Sequence, residues 1–112
     1  MLQDDHAASA AIAFSDLPTE EGAAWVAKFP QHSAISFGNE LTHAGYKDIP
    51  VSYLLCERDK CITPDVQRIG IEMIEKESGR KVDVTTIQGD HCPMVQHPDE
   101  VADWILKVAA KY

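Results

Sequence analysis

The sequence predicts an α/β chain in which helices come first and two parallel strand–helix units follow. Two β-rich apolar runs carry that prediction, Val51-Ser52-Tyr53-Leu54-Leu55-Cys56 and Val82-Asp83-Val84-Thr85-Thr86-Ile87. Each leads into a helical pattern, and the right-handed crossover rule makes strands connected in this way parallel. The first run empties into Glu57-Arg58-Asp59-Lys60 and the second into Gly89-Asp90-His91. A carboxylate and an imidazole are therefore expected on one rim of a sheet, at the carboxyl ends of neighbouring strands.

Along the chain, residues 1–13 are Ala-rich and weakly patterned, which predicts a flexible, frayed or loosely helical leader. Thr19 reads as an N-cap after Asp16-Leu17-Pro18, with Glu20 and Glu21 in a first turn where the helix dipole favours acids. Ala23, Ala24, Trp25, Val26, Ala27 and Phe29 continue that helix, and Pro30 stops it. Ala34, Ile35, Phe37, Leu41 and Tyr46 fit a short helix or an irregular apolar segment, and Asp48-Ile49-Pro50 turns into the first strand. After that strand, Thr63-Pro64 reads as N-cap and first helical residue. Val66, Ile69, Met73 and Ile74 recur at helical spacing, and Gly79 suits the position after the helix end. A last helix opens at Pro98-Asp99-Glu100, and Val101, Trp104, Ile105 and Val108 form a stripe that must cover something. A lone pair of parallel strands is not expected to stand by itself, so the pattern reads as the end of a larger sheet.

Composition narrows the function classes. The 112 residues allow one domain, and 45% apolar with 25% charged residues is ordinary for a soluble fold. A formal net charge of −8, spread through both halves, argues against nucleic acid or an anionic membrane as partner. No run approaches the ~18 apolar residues of a transmembrane helix, and Met1-Leu2-Gln3-Asp4-Asp5-His6 lacks the basic flank and apolar core of a signal peptide. Cys56, Cys61 and Cys92 are an odd count and predict reduced thiols in a cytoplasmic protein. Asp90, His91, Cys92 and His97 lie close together, but without a CxxC pair or a helical HxxxH no metal site is expected. No Gly-rich phosphate loop is present, so no cofactor is implied.

Ile49-Pro50-Val51-Ser52-Tyr53-Leu54-Leu55-Cys56-Glu57-Arg58-Asp59 resembles the acid-bearing strand of α/β-hydrolase fold esterases. Gly89-Asp90-His91-Cys92-Pro93-Met94, with His97-Pro98-Asp99-Glu100-Val101, is similar to the histidine loop and last helix of that family. Phe14-Ser15-Asp16-Leu17-Pro18, Trp25 and Pro30-Gln31-His32-Ser33 resemble the cap of the branch that includes plant methyl-ester esterases and hydroxynitrile lyases. The resemblance implies a partial α/β-hydrolase fold, with a cap-like helical segment at 14–48 and core units at 49–112. It further implies Asp59 as triad acid and His91 as triad base, with Glu57 the competing acid at the same strand end. Asp90 beside His91 is by default an exposed loop acid. Trp25, Phe29, Phe37 and Tyr46 are candidates to line an apolar substrate cavity, the alternative being ordinary core.

The departure from the family is the nucleophile. Among Ser9, Ser15, Ser33, Ser36, Ser52 and Ser78, none has the flanking glycines of a Gly-x-Ser-x-Gly elbow. Cys92 does not replace it, since neighbours on a loop point apart. A truncated hydrolase is thus expected, acting on small esters or cyanohydrin-like molecules only if another chain supplies the serine. A His–Asp general base in a lyase, isomerase or cyclase step on a small apolar molecule is an alternative. So is a non-catalytic remnant that buries its apolar faces by homo-oligomerisation, as a homodimer in the simplest case.

Overall fold

The computed structural model describes residues 5–112, so the first four residues of the expected leader lie outside it. In chain order the elements are α1 (His6–Ala13), α2 (Thr19–Val26), 3-10 turns at Ala34–Phe37 and Gly45–Lys47, β1 (Ser52–Cys56), α3 (Pro64–Ser78), β2 (Asp83–Ile87), α4 (Pro93–Gln96) and α5 (Pro98–Ala109). The strands pair in parallel, with register running from Ser52 opposite Asp83 to Cys56 opposite Ile87. This is the expected α/β arrangement, and the chain connectivity places both strand ends on one rim.

Local chemistry accounts for most boundaries. Pro64 opens α3, where its missing N–H costs nothing, and Gly79 ends it at φ 68°, a left-handed conformation that a side chain would strain. Pro98 opens α5, with Asp99 and Glu100 in its first turn. The cap of α2 sits one residue earlier than expected, at Pro18, so Thr19 is its first helical residue and makes no side-chain cap. Residues 6–13, within the stretch expected to be frayed or loosely helical, form a helix packed on α2. The Asp5 carboxylate accepts from the Ala8 N–H at 2.9 Å, and Ala10 is buried against α2.

The core falls into two clusters. Ala10, Phe14 and Val26 are buried where α1 meets α2, with Leu17, Cys92 and Val95 packed against them. Leu55, Ile71 and Val82 are buried between the sheet and α3, with Val51, Tyr53 and Ile74 alongside. Strand alternation explains the second cluster, because Val51, Tyr53 and Leu55 share one face of β1. The opposite face, with Leu54, Thr85 and Ile87, looks across an open cleft of about 520 Å³ to Trp104 and Val108 of α5.

The sheet selects one side of α3. Val66, Ile69 and Met73, which mark the helix in sequence, are exposed, whereas Gln67 and Ile71 are its buried residues. The sheet takes the side carrying 67, 71 and 74, and the adjacent apolar stripe is left uncovered among the described residues. On α5 the same holds in milder form: Val101, Trp104 and Val108 are half-buried and Ile105 is exposed.

Candidate active site

The parallel ladder does not stop at the end of β1. The Glu57 N–H donates to the Ile87 carbonyl at 3.0 Å and the Arg58 N–H to the Gly89 carbonyl at 3.0 Å. The loops that follow β1 and β2 are thereby held side by side, and Asp59 and His91 emerge next to each other. Asp59 is only 6% exposed. Its Oδ1 accepts from the Cys61 N–H at 2.8 Å and the Ile62 N–H at 2.9 Å, which turns Oδ2 toward the ring. Oδ2 lies 3.0 Å from His91 Nδ1. A carboxylate oxygen accepts, so the contact favours the tautomer with its proton on Nδ1, which leaves Nε2 as the ring nitrogen free of Asp59. The His91 side chain is 36% exposed, enough to be reached from outside.

The competing acid goes elsewhere, since the Glu57 carboxylate accepts from Gln88 Nε2 on the exposed side of the loop. Asp90, expected as an exposed loop acid, is instead 1% exposed. Its Oδ1 accepts from the Cys92 N–H at 3.0 Å, bracing the turn just after His91, and its Oδ2 accepts from the Asp16 N–H at 3.0 Å. Asp16 in turn faces Arg58, whose Nη2 lies 3.3 Å from Asp16 Oδ2 and donates to the Gln88 carbonyl at 2.6 Å. The segment between α1 and α2 is thus tied to both loops. Gly89 permits the close turn: a Cβ there would stand 3.0 Å from that of Pro93.

Beside the imidazole lies an apolar cavity of about 210 Å³, lined by Ser9, Ile12, Ala13, Val26, Phe29, Cys61 and His91. Of the aromatic candidates only Phe29 borders it. Trp25 stacks near Phe14, ring centroids 6.4 Å apart, with Lys28 Nζ 4.3 Å from its own ring centroid. Phe37 is 81% exposed and contacts the His32 ring, and Tyr46 sits in the second 3-10 turn near α3. The structure brings Asp59 and His91 together and leaves Trp25, Phe37 and Tyr46 apart from them. The lining from α1 escaped sequence reading because an Ala-rich stretch carries no periodic signal. Asp90 had one available sign, its place directly before a strand-end histidine.

The thiols near the ring are not activated. Burial, followed by the Asp90 charge, pushes Cys92 up to about 11, and burial with the nearby Asp59 raises Cys61 as well. Both are held in the thiol form, which is the poorer nucleophile. Among the described residues no cluster of three or more His, Cys, Asp or Glu side chains is arranged to hold a metal ion.

The profile described as "Alpha/beta hydrolase family" matches residues 3–104, nearly the whole chain. This chain belongs to the α/β-hydrolase family. Among curated proteins it is 40% identical over 78 residues to "Probable hydrolase R7" of Phoma sp., covering 70% of this chain and 32% of that protein. It is also 40% identical over 72 residues to Methylesterase 9 of Arabidopsis thaliana, covering 64% of this chain and 27% of the relative. "Alpha/beta hydrolase nvfD" of Aspergillus novofumigatus is 33% identical over 70 residues, 62% of this chain and 26% of that protein. The matched part therefore spans about a third or less of these relatives. No solved structure matches the chain significantly.

Proposed function

We propose that Asp59 and His91 are the acid and base of an esterase-type centre whose nucleophilic serine lies outside these 112 residues. The observation that carries this reading is the 3.0 Å contact between Asp59 Oδ2 and His91 Nδ1, beside an apolar cavity of about 210 Å³. In such a centre Nε2 takes the serine proton as the oxygen attacks the ester carbonyl, then returns it to the leaving alkoxide. Water repeats the sequence on the acyl-enzyme and releases the acid. Asp59 holds the ring and stabilises the imidazolium, while Cys61 and Ile62 N–H groups fix the carboxylate. The cavity suits a small apolar acyl or alcohol group, in keeping with the esterase-type relatives. Its size also matches the small apolar substrates of the alternative general-base reactions.

Without the serine, the same base can draw a proton from water attacking an activated ester. The test is hydrolysis of short-chain p-nitrophenyl esters by the full chain, wild type against His91→Ala. General-base action predicts a rate above the variant by about 10²-fold. Equal rates in the two proteins overturn general-base action by His91 in this chain.

A second reading rests on a different observation, the exposure of Ile35, Phe37, Leu41, Ile69 and Met73. Apolar surface on this scale favours a self-associating or chain-complementing role. Sedimentation at micromolar concentration is expected to show a dimer or larger species, and a monomer throughout would contradict it.

A further inference from the structure

Gln67 is a polar residue on the sheet-facing side of α3, and it is only 4% exposed. Its position follows from ladder geometry. The Val51 carbonyl accepts from the Asp83 N–H, and the Glu57 N–H donates to the Ile87 carbonyl, so odd-numbered residues of this segment point their backbone groups at β2. The N–H and carbonyl of Cys56 consequently point the other way, toward the open edge of β1. There the Gln67 carboxamide takes the place of a neighbouring strand. Its Oε1 accepts from the Cys56 N–H at 3.0 Å, and its Nε2 donates to the Cys56 carbonyl at 2.9 Å. The same Nε2 donates to the Ile62 carbonyl at 2.7 Å.

Cys56 and Ile62 bracket the loop that carries Asp59. Ile62 also gives its own N–H to Asp59 Oδ1 at 2.9 Å. One buried carboxamide thus joins the last residue of the strand to the far side of the acid loop, three bonds from a single side chain. We propose that Gln67 is the positioning residue of the Asp59–His91 pair, closing the acid loop so that Asp59 Oδ2 stays on the imidazole. The proposal rests on the acid–base reading of that pair and adds the device that holds it. Without the carboxamide, the Cys56 N–H and the Ile62 carbonyl lose their partner at a largely buried edge, the Cys56 carbonyl keeps only the long 3.4 Å bond from the Asp59 N–H, and the loop must open to hydrate them. The carboxamide also occupies the edge at Cys56, so an added strand could pair with β1 only below the rim.

The test is native-state amide exchange together with imidazole ¹⁵N NMR on the full chain, comparing wild type with Gln67→Met. Methionine keeps length and bulk and removes every hydrogen bond, so a role in packing alone would leave the loop untouched. We expect the Cys61 and Ile62 amides to lose about tenfold or more in protection. The Ile71 amide in α3 should be unchanged, and the Nδ1–H form of His91 should lose ground. Unchanged protection at Cys61 and Ile62 with an unchanged tautomer overturns the proposal. If the variant fails to fold, wild-type exchange decides the matter. Coincident opening of Cys56, Cys61 and Ile62 supports a single closure, and Cys61 and Ile62 opening while Cys56 stays protected overturns it. A wild-type ring lacking the Nδ1 proton would count against the acid–base reading, with the loop protections left to judge Gln67 separately.

Discussion

The rim of the sheet and its flanks are built to different standards. At the rim, Asp59, Gln67 and Asp90 are buried polar side chains, and each is met by two or three hydrogen bonds from loops that would otherwise be independent. On the flanks, α3 and α5 present Val66, Ile69, Met73, Ile105 and Leu106 to the outside, and the segment from Ile35 to Ile49 exposes further apolar side chains. The contrast separates two tasks. Holding an acid against an imidazole is a matter of short-range polar closure, which this chain achieves by itself. Covering a parallel sheet and its helices is a matter of apolar area, which the described residues do not complete.

If the rim depends on buried polar closure, Asp90→Ala should have the largest effect of a single change. It removes the carboxyl acceptor of two N–H groups, those of Asp16 and Cys92, and a loss of about 4 kcal/mol is expected from denaturant unfolding. A loss under about 1 kcal/mol would erase the distinction between rim and flank. Leu55→Ala, at the fully buried centre of the core between the sheet and α3, should cost about 3 kcal/mol in the same measurement. By contrast, Ile69→Ser or Phe37→Ser should change unfolding free energy by no more than about 0.5 kcal/mol, while reducing any self-association seen in sedimentation.

A smaller effect sharpens the rim further. Cys92 is raised from its ordinary value of 9.0 to about 11, so above pH 9 the unfolded chain loses a proton that the folded chain keeps. Stability should therefore fall as pH rises from about 9 toward 11. Cys56 and Tyr53 are raised by burial as well, so Cys92→Ala should flatten this slope without abolishing it. An unaltered slope in the variant would mean that the thiol is not desolvated.

Much of the skeleton was legible because it is written in local chemistry. Pro64, Gly79 and Pro98 mark helix ends through backbone constraints that no neighbour can alter. The two strands were legible from β-rich runs, and their parallel pairing followed from the helix between them. The meeting of Asp59 and His91 was legible for the same reason, since adjacent parallel strands deliver their ends to a common rim. What stayed hidden depends on tertiary partners. Gln67 and Asp90 look like surface residues until the groups they satisfy are in place. The buried side of α3 could not be read either, because the helix is apolar on two sides and only position relative to the sheet chooses between them. The cavity wall from α1 was invisible for a third reason: alanine and serine carry no periodic pattern to read.

The protonation site of the His91 ring tests most directly whether this chain alone assembles an acid–base pair. Imidazole ¹⁵N NMR on the neutral ring should find the proton on Nδ1 in the wild type, and Asp59→Asn should shift it toward Nε2. A wild-type ring carrying its proton on Nε2, or a tautomer indifferent to Asp59→Asn, would contradict the account.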